Sequence, residues 1–338
     1  MEGFVSKFNK KHFILKSLLS IVISIIIIIL TCSIFAYRQY IYDQLTVWRY
    51  KPTSEISGLA DRSGLNDNGK FLYYASQPTI EGTQNFNLLC NRVENVTSIL
   101  GCYTNNRIYI YDVKDERLDG IREVTTTHET LHAAYSRMSD SEKAEIDSLI
   151  EKEYLKLENR QDFKDRMAFY DRTEPGQRDN ELHSVIGTEI ADISPELEAH
   201  YKSYFSDRQK IIGLNNKYSD YLQANNIKVK QLADQLNSLI ADINTKTDQY
   251  NTDINDLNID INSFNYRANN QGFMSQSQFD NERIVLSNRV YATNALRLDI
   301  NNQNQNYNSI LAEYNSIAAV AKQLYDSMNS NLAPVPSL

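Results

Sequence analysis

Two histidines four residues apart, with a glutamate beside the first, form the most informative pattern in this chain: His128, Glu129 and His132 in the sequence HETLH. On a helix, residues four apart lie on one face, so both imidazoles can bind one Zn²⁺ ion. Glu129 then faces a metal-bound water and can accept its proton. Only 5 histidines occur in 338 residues, so a chance match is rare. The pattern predicts a catalytic zinc site rather than two polar residues on an ordinary amphipathic helix.

A catalytic zinc ion needs a third protein ligand and an open position. Nothing like Gly-x-x-His follows His132, which excludes the metzincin arrangement. The stretch 180–189 is the best source of the third ligand, because it offers Glu181, His183 and Glu189. At about 100° per residue, His183 points roughly 200° away from Glu181, so the two cannot bind the same ion. Either Glu181 completes the site or His183 makes it a three-histidine site.

The sequences HETLH and, at 180–184, Asn-Glu-Leu-His-Ser resemble the gluzincin branch of the zinc metallopeptidases, the thermolysin-like group. In that group a helix beginning Asn-Glu-x-x-Ser supplies a carboxylate ligand. The resemblance covers residues 70 to 205 and implies a zincin-like α+β domain with peptidase activity. It gives Glu189 no ligand role. It implies His128, His132 and Glu181 as zinc ligands and Glu129 as general base.

One position departs from the gluzincin pattern. Thermolysin-like enzymes carry Asp after the Ser of the second motif, where it orients a zinc-bound histidine, and this chain has Val185. Orientation must then come from another residue, with Thr188 and Glu189 as candidates. The group that stabilises the oxyanion is equally open, since each candidate also suits a packed or surface position. The candidates are Tyr135, His183, His200 and Tyr201.

The residues before HETLH predict a small sheet. Residues 71–75 (FLYYA), 98–103 and 107–113 (RIYIYDV) are rich in β-branched and aromatic side chains, and Asn105-Asn106 supplies a turn between the last two. In zincins the strand just before the motif helix lies at the sheet edge and pairs with the substrate backbone. The resemblance therefore assigns that edge position to residues 107–113.

Helices are predicted from Gly120 onward. Ser139 and Glu142 form a capping box that begins a helix extending to about Leu157. Further helices are predicted at residues 162–170 and 180–193. Ser194-Pro195 then begins another, with the hydroxyl as cap and proline at the first helical position.

The N-terminus predicts a membrane anchor. Residues 17–37 form an uncharged run of 21 residues, long enough to cross a hydrocarbon core of about 30 Å. Four lysines and one acid precede the run, so by the positive-inside rule residues 1–16 stay in the cytoplasm and the rest of the chain lies outside. A cleavable signal peptide is the competing interpretation, although the run is long for one and lacks an A-x-A site.

Two of the 3 cysteines, Cys90 and Cys102, lie twelve residues apart in the part assigned to the outside. An oxidising compartment favours a disulfide between them, and two buried free thiols remain the alternative. A zinc site of the cysteine type would need more ligands than this region offers. Cys32 lies within the apolar run and is predicted to be a membrane residue.

Two long heptad patterns fill the C-terminal third. Apolar residues recur at steps of three and four from Val229 to Phe264 and again from Leu296 to Met328. Between them, residues 268–277 contain Asn-Asn-Gln-Gly and break the pattern, which predicts an antiparallel coiled-coil hairpin. In such a hairpin Leu232 is expected near Ala321 or Leu324. The hairpin offers a surface for a partner or for self-association.

Composition limits the function. The formal charge is −8, with 35 Lys+Arg against 43 Asp+Glu, and no basic cluster lies outside the N-terminus, which argues against a nucleic-acid partner. We therefore expect a membrane-anchored, extracytoplasmic zinc metallopeptidase acting on a peptide or protein, with a cell-wall amidase sharing the same chemistry. A surface scaffold with an inactive or structural zinc domain is the alternative. The predicted divisions are 1–16 cytoplasmic, 17–37 transmembrane, 38–69 stem, 70–204 zincin-like domain, 205–330 hairpin and 331–338 tail.

Overall fold

The computed structural model describes residues 2–90, 99–173 and 175–331, and their side chains from residue 19 onward except Asp162. The chain divides into two compact units. The first unit comprises residues up to Tyr218 and the stretch from Ser327, and the hairpin unit comprises residues 219–326. From residue 332, the predicted tail lies outside the described residues.

The described residues are mostly helical, with one three-stranded sheet. The helices of the first unit are α1 Glu2–Ala36, α2 Arg38–Arg49, α3 Ser54–Arg62, α4 Asp67–Ala75, α5 Thr83–Leu89, α6 Ile121–Arg137, α7 Asp140–Leu157, α8 Gln161–Thr173, α9 Arg178–Glu189 and α10 Pro195–Tyr201. The strands are β1 Thr79–Glu81, β2 Gly101–Thr104 and β3 Arg107–Tyr111, and the last two helices are α11 Gln209–Asn269 and α12 Gln276–Met328.

Helix α1 contains one stretch, Leu19–Ala36, that is long and apolar enough to cross a membrane. Its side chains are exposed rather than packed in the core. The predicted apolar helix over 17–37 is therefore present, and its length and composition suit a membrane span or a signal sequence.

Residues 38–69, predicted as a stem, lie within the first unit and contribute to its core. Ile56 and Leu59 on α3 join the same buried core as Leu131 on α6. Ile211 at the start of α11 is fully buried in the same core. This part of the first unit extends to Tyr218.

The predicted strand at residues 71–75 is wrong, since these residues form the end of α4. The Asn66 side chain accepts a hydrogen bond from the Gly69 amide and caps the helix. Gly69, Leu72 and Tyr73 are buried at steps of three and four, which is a helical face. Capping and burial therefore override the β propensity of the aromatic residues.

The sheet has the order β1-β3-β2, so β3 is its central strand and the predicted edge position of 107–113 is wrong. β1 pairs with β3 in parallel, and β2 pairs with it antiparallel through the Asn105-Asn106 turn. The edge next to α6 belongs to β2, at the position where a Cβ on Gly101 would lie 2.7 Å from Glu129 Oε1. Glycine at 101 thus lets the edge strand approach the HETLH helix.

Local signals placed most other elements correctly. The capping box of Ser139 and Glu142 starts α7, and Ser194 caps α10 with Pro195 at its first turn. The helix predicted over 180–193 ends earlier, at Glu189. Cys90 and Cys102 are joined in a disulfide.

In the hairpin unit, α11 and α12 run antiparallel on either side of a turn at Gln271 and Gly272. Three polar pairs between the helices fix the register: Lys228–Glu313 at 2.8 Å, Asp242–Gln303 at 2.7 Å and Lys246–Asp299 at 2.8 Å. Leu232 therefore lies opposite the stretch between Gln303 and Glu313, and the expected neighbours Ala321 and Leu324 are wrong. The position of the turn, rather than the heptad pattern, sets which residues face each other.

Disulfide cross-linking can test this register. Cysteines at Asp242 and Gln303 are expected to form a bond within one chain, because those side chains are in contact. A pair at Leu232 and Leu324 is the matched control and is expected to remain reduced. Intact mass and gel mobility without reductant report both outcomes. A bond in the control and none in the first pair would show that the register is wrong.

Candidate metal centre

The HETLH residues lie on α6, a helix that is largely buried. Gly120 precedes it with a positive φ of 108°, a conformation that glycine adopts readily, and a Cβ there would lie 2.7 Å from the Leu214 carbonyl oxygen. Leu131 is fully buried against α9, and His128 and His132 also lie toward α9, where Glu181 contacts them. The histidines are thus directed at a second helix and not at solvent.

Helix α9 packs closely against α6 because of a glycine at the contact. A Cβ on Gly187 would lie 2.5 Å from Leu131 Cδ1 and 2.7 Å from Tyr201 Cε1. A side chain at 187 would displace those of Leu131 and Tyr201, so glycine lets both pack directly on α9. This contact brings Glu181, two turns earlier on α9, to the histidines of α6.

Three ligand groups converge at this place. Glu181 Oε1 lies 3.2 Å from His132 Nε2, and Glu181 Oε2 lies 3.4 Å from His128 Nε2. All three ligand atoms lie within 4.8 Å of one another. Ligands about 2.0–2.1 Å from a tetrahedral ion are about 3.3 Å apart, which matches both contacts. The group can therefore hold a metal ion.

His132 is oriented for binding through Nε2. Its Nδ1 lies 3.0 Å from Asn180 Oδ1 and 3.2 Å from Ser184 Oγ. A proton on Nδ1 can be donated to the Asn180 oxygen, which leaves the Nε2 lone pair facing Glu181. Asn180 and Ser184 belong to the second sequence motif, so the orienting residues of this histidine were present in the quoted pattern.

The expected orienting residues, Thr188 and Glu189, have other contacts. The Thr188 hydroxyl donates to the Ser184 backbone carbonyl, and Glu189 forms an ion pair with Arg166 of α8. Glu189 still contributes a negative charge near His128. Val185 is fully buried in the core, so its apolar side chain has a packing role.

Charge within the group favours a cation between its members. Burial alone lowers the pKa of His128, but the hydrogen bond and charge of Glu181 outweigh it and raise that pKa to about 9. Burial lowers the pKa of His132, whose imidazole is therefore neutral at pH 7. The charge of Glu181 therefore favours a cation at His128, whether a proton or a metal ion.

Glu129 lies beside the ligand group, and its side chain is close to Gly101 of the edge strand β2. It is buried, and it contacts β2 at Gly101. It therefore lies next to the ligand group and at the edge strand β2. A carboxylate in this position can accept a proton from a molecule bound next to the ligands.

The other predicted candidates lie away from the ligand group. His183 is fully buried, with its Nε2 2.9 Å from His200 Nε2 and its ring packed on Tyr135 and Tyr201. The Tyr201 hydroxyl donates to the His183 carbonyl, and the Tyr135 hydroxyl donates to Asp147. Burial lowers the pKa of His200 to about 4, so this pair is uncharged at neutral pH. These four side chains have packing and hydrogen-bonding partners of their own.

Sequence reasoning did not identify Tyr170, whose phenol is affected by the charges around the ligand group. Tyr170 on α8 lies close enough to Glu181, Glu189 and Glu129 for their charges to act on its phenol. Burial, and then the charge of Glu181, raises its pKa well above the usual value, so the hydroxyl stays protonated and can donate a hydrogen bond. No motif marks Tyr170, because its place depends on how α8 packs against α9.

No protein-family model matches this chain, and no curated protein or solved structure matches it either. The chemistry of the site must therefore be inferred from its own geometry. Two imidazoles, one carboxylate ligand and a second carboxylate nearby are a set suited to a divalent cation and an acid–base reaction.

Proposed function

We propose that this chain is a membrane-anchored, extracytoplasmic zinc metallopeptidase of the gluzincin type. The observation that carries the proposal is the convergence of His128, His132 and Glu181 into one ligand group, with Glu129 beside it. Two histidines and a glutamate, leaving a fourth position open, are the ligand set of a catalytic zinc ion. A structural zinc site would be closed by a fourth protein ligand.

The residues of the site have different roles in the proposed peptide hydrolysis. A bound Zn²⁺ ion would lower the pKa of a water molecule and polarise the scissile carbonyl. Glu129 would act as the general base, accepting a proton from the attacking water and passing it to the leaving amine. Asn180 and Ser184 hold His132 in the required tautomer.

The edge strand β2 is the proposed substrate support. An extended peptide can pair with the outer edge of β2 through backbone hydrogen bonds, as in other strand-addition interactions. Gly101 brings this edge to Glu129, so a paired peptide would place its backbone next to the general base. The resemblance assigned this role to residues 107–113, and we propose β2 for it instead because β2 lies at the sheet edge.

Tyr170 is the proposed hydrogen-bond donor to the developing oxyanion. The charges of Glu181 and Glu129 act on its protonated phenol, whereas the four donors considered from the sequence have hydrogen-bond partners elsewhere. Tyr170→Phe is expected to lower kcat by about 10²–10³-fold, the effect of losing one oxyanion donor. Metal content and KM are expected to change little.

Tyr154→Phe on α7 is the matched control for this variant, since Tyr154 packs on Phe163 and Arg178. Steady-state kinetics and metal analysis of both variants give the comparison. Equal kcat values for Tyr170→Phe and the unchanged chain would rule out Tyr170 as the donor to the oxyanion.

Two features support the membrane location. The apolar stretch Leu19–Ala36 is preceded by Lys7, Lys10, Lys11 and Lys16, which favours a cytoplasmic N-terminus. The disulfide between Cys90 and Cys102 suits an oxidising compartment. A reporter that works only outside the cytoplasm, fused after Leu338, is expected to be active.

Peptide-library cleavage by the full chain in lipid nanodiscs tests the proposed activity. Hydrolysis that is lost with chelator and restored by Zn²⁺ is the expected result. The hairpin unit gives the alternative its support, because two long paired helices suit a surface scaffold with an inactive domain. A chain that binds zinc, cleaves neither peptides nor cell-wall peptide bonds, and keeps its partner after metal removal would favour the scaffold.

A further inference from the structure

Helix α2 has its polar side packed inward and its apolar side exposed. Asp43 and Thr46 face the first unit and are only 2% and 8% exposed. Ile41, Leu45 and Trp48 lie on the opposite side and are 39%, 49% and 79% exposed. A helix on a water-facing surface normally has the reverse arrangement. The exposed side therefore requires a covering other than water.

The inward contacts fix the rotation of this helix. Arg137 of α6 donates to both Asp43 oxygens, from Nε at 2.8 Å and from Nη2 at 3.0 Å. Gln39 donates to the same carboxylate at 3.1 Å. Turning α2 to bury Leu45 and Trp48 would break this buried ion pair. The apolar side must therefore be covered from outside.

Helix α2 directly continues the apolar helix α1. The amide of Tyr37 donates to the Ser33 carbonyl at 2.9 Å, and the amide of Ile41 donates to the Tyr37 carbonyl at 2.9 Å. Exposed apolar side chains recur across this junction at steps of three and four, the spacing of a coiled-coil seam. We call them the outer stripe: Ile34, Tyr37, Ile41, Leu45 and Trp48.

Lipid can cover only the beginning of the outer stripe. The headgroup region adds about 5–8 Å on each side of the hydrocarbon core. Leu45 and Trp48 follow Ala36 by nine and twelve residues, or about 13 and 18 Å along a helix. These two residues stand beyond the headgroups and need a protein neighbour.

We propose that two copies of this chain pair in parallel in one membrane through the outer stripe, with Ile41, Leu45 and Trp48 of each copy covering those of the other. The inference rests on the proposed membrane anchor, which gives both copies the same orientation. Parallel pairing of equal-length helices then brings each stripe residue to its own counterpart. None of the five stripe residues is charged, so their pairing buries no charge within the stripe.

Cysteine cross-linking of the full chain in membranes tests the pairing. In a Cys32→Ser background, Leu45→Cys is expected to form a covalent dimer several-fold more than Gln39→Cys, its control on the inward side of α2. Trp48 is the only tryptophan, so its fluorescence reports this surface alone. Its emission should shift to longer wavelength when the chain is diluted to one copy per nanodisc.

Two results would overturn the pairing while leaving the anchor intact. One is equal dimer formation by Leu45→Cys and Gln39→Cys in a membrane-bound chain of full mass. The other is strong quenching of Trp48 by brominated lipid together with no response to dilution, which would make lipid the neighbour. A soluble chain shortened at its N-terminus would instead overturn the anchor and the pairing together.

Discussion

Glu129→Gln is expected to bind zinc as tightly as the unchanged chain and to lose peptide hydrolysis by at least about 10²–10⁴-fold, the contribution of a general base. Glu129 lies beside the ligand group without being one of the three converging ligands. Glutamine keeps the shape and removes the ability to accept a proton. Metal analysis and kcat, measured on the same preparation, check both halves of this expectation.

Glu181→Gln should lose zinc and activity together. Its two oxygens contact both histidines, at 3.2 and 3.4 Å, and an amide is a poor replacement for a charged ligand. The loss of zinc affinity should exceed the about 10- to 100-fold cost of removing an outer hydrogen-bond partner. Asn180→Ala, which removes such a partner from His132, is expected to fall within that range.

His183→Ala is the control on the same helix. This histidine is bonded to His200 on the other side of α9, so zinc content is expected to remain unchanged even if stability falls. Zinc retained by Glu181→Gln and lost by His183→Ala would reverse the ligand assignment and remove the gluzincin proposal. Retained activity in Glu129→Gln would rule out Glu129 as the general base and would leave the ligand assignment unaffected.

The ligand group could be anticipated because its geometry is mostly local. His128 and His132 share a face through helical periodicity, whatever the rest of the fold. Glu181 was identified through its motif, and the contact at Gly187 explains how it reaches α6. Asn180 lies in that motif as well, but only the packing of α9 shows which imidazole it orients.

Features that depend on distant partners could not be anticipated in the same way. β1 has three residues, too few to produce an alternating pattern, yet its pairing with β3 changes which strand lies at the edge. Tyr170 is brought to the ligand group by α8, which has no distinguishing motif. In residues 71–75, β propensity predicted a strand where capping by Asn66 and burial produce a helix.

The ion pair between Asp43 and Arg137 is the clearest example, because its partners are 94 residues apart. It joins α2 to the last turn of the HETLH helix, where Arg137 also donates to the Ala133 carbonyl at 2.8 Å and to the Tyr103 hydroxyl at 3.0 Å. The side chains of Arg137 and Asp43 are only 10% and 3% exposed. Removing one partner would leave the other charge buried without compensation.

Asp43→Ala is therefore expected to destabilise the first unit by about 3–5 kcal/mol, the cost of breaking a buried ion pair. For a domain of this size, that corresponds to a Tm lower by about 6–20 °C. Glu55→Ala is the matched control, since it breaks the more exposed pair with Arg122 and should cost less than about 1 kcal/mol.

Replacing both partners distinguishes the effect of the buried charges on stability from the effect of side-chain packing. The double variant Asp43→Leu with Arg137→Met removes both buried charges, so it should recover much of the stability that Asp43→Ala loses. Thermal and denaturant unfolding of the full chain in nanodiscs measure the three variants together. Equal Tm values for Asp43→Ala and Glu55→Ala would mean that α2 is not held against the HETLH helix by this pair. This ion pair would then also not determine which side of α2 exposes the outer stripe.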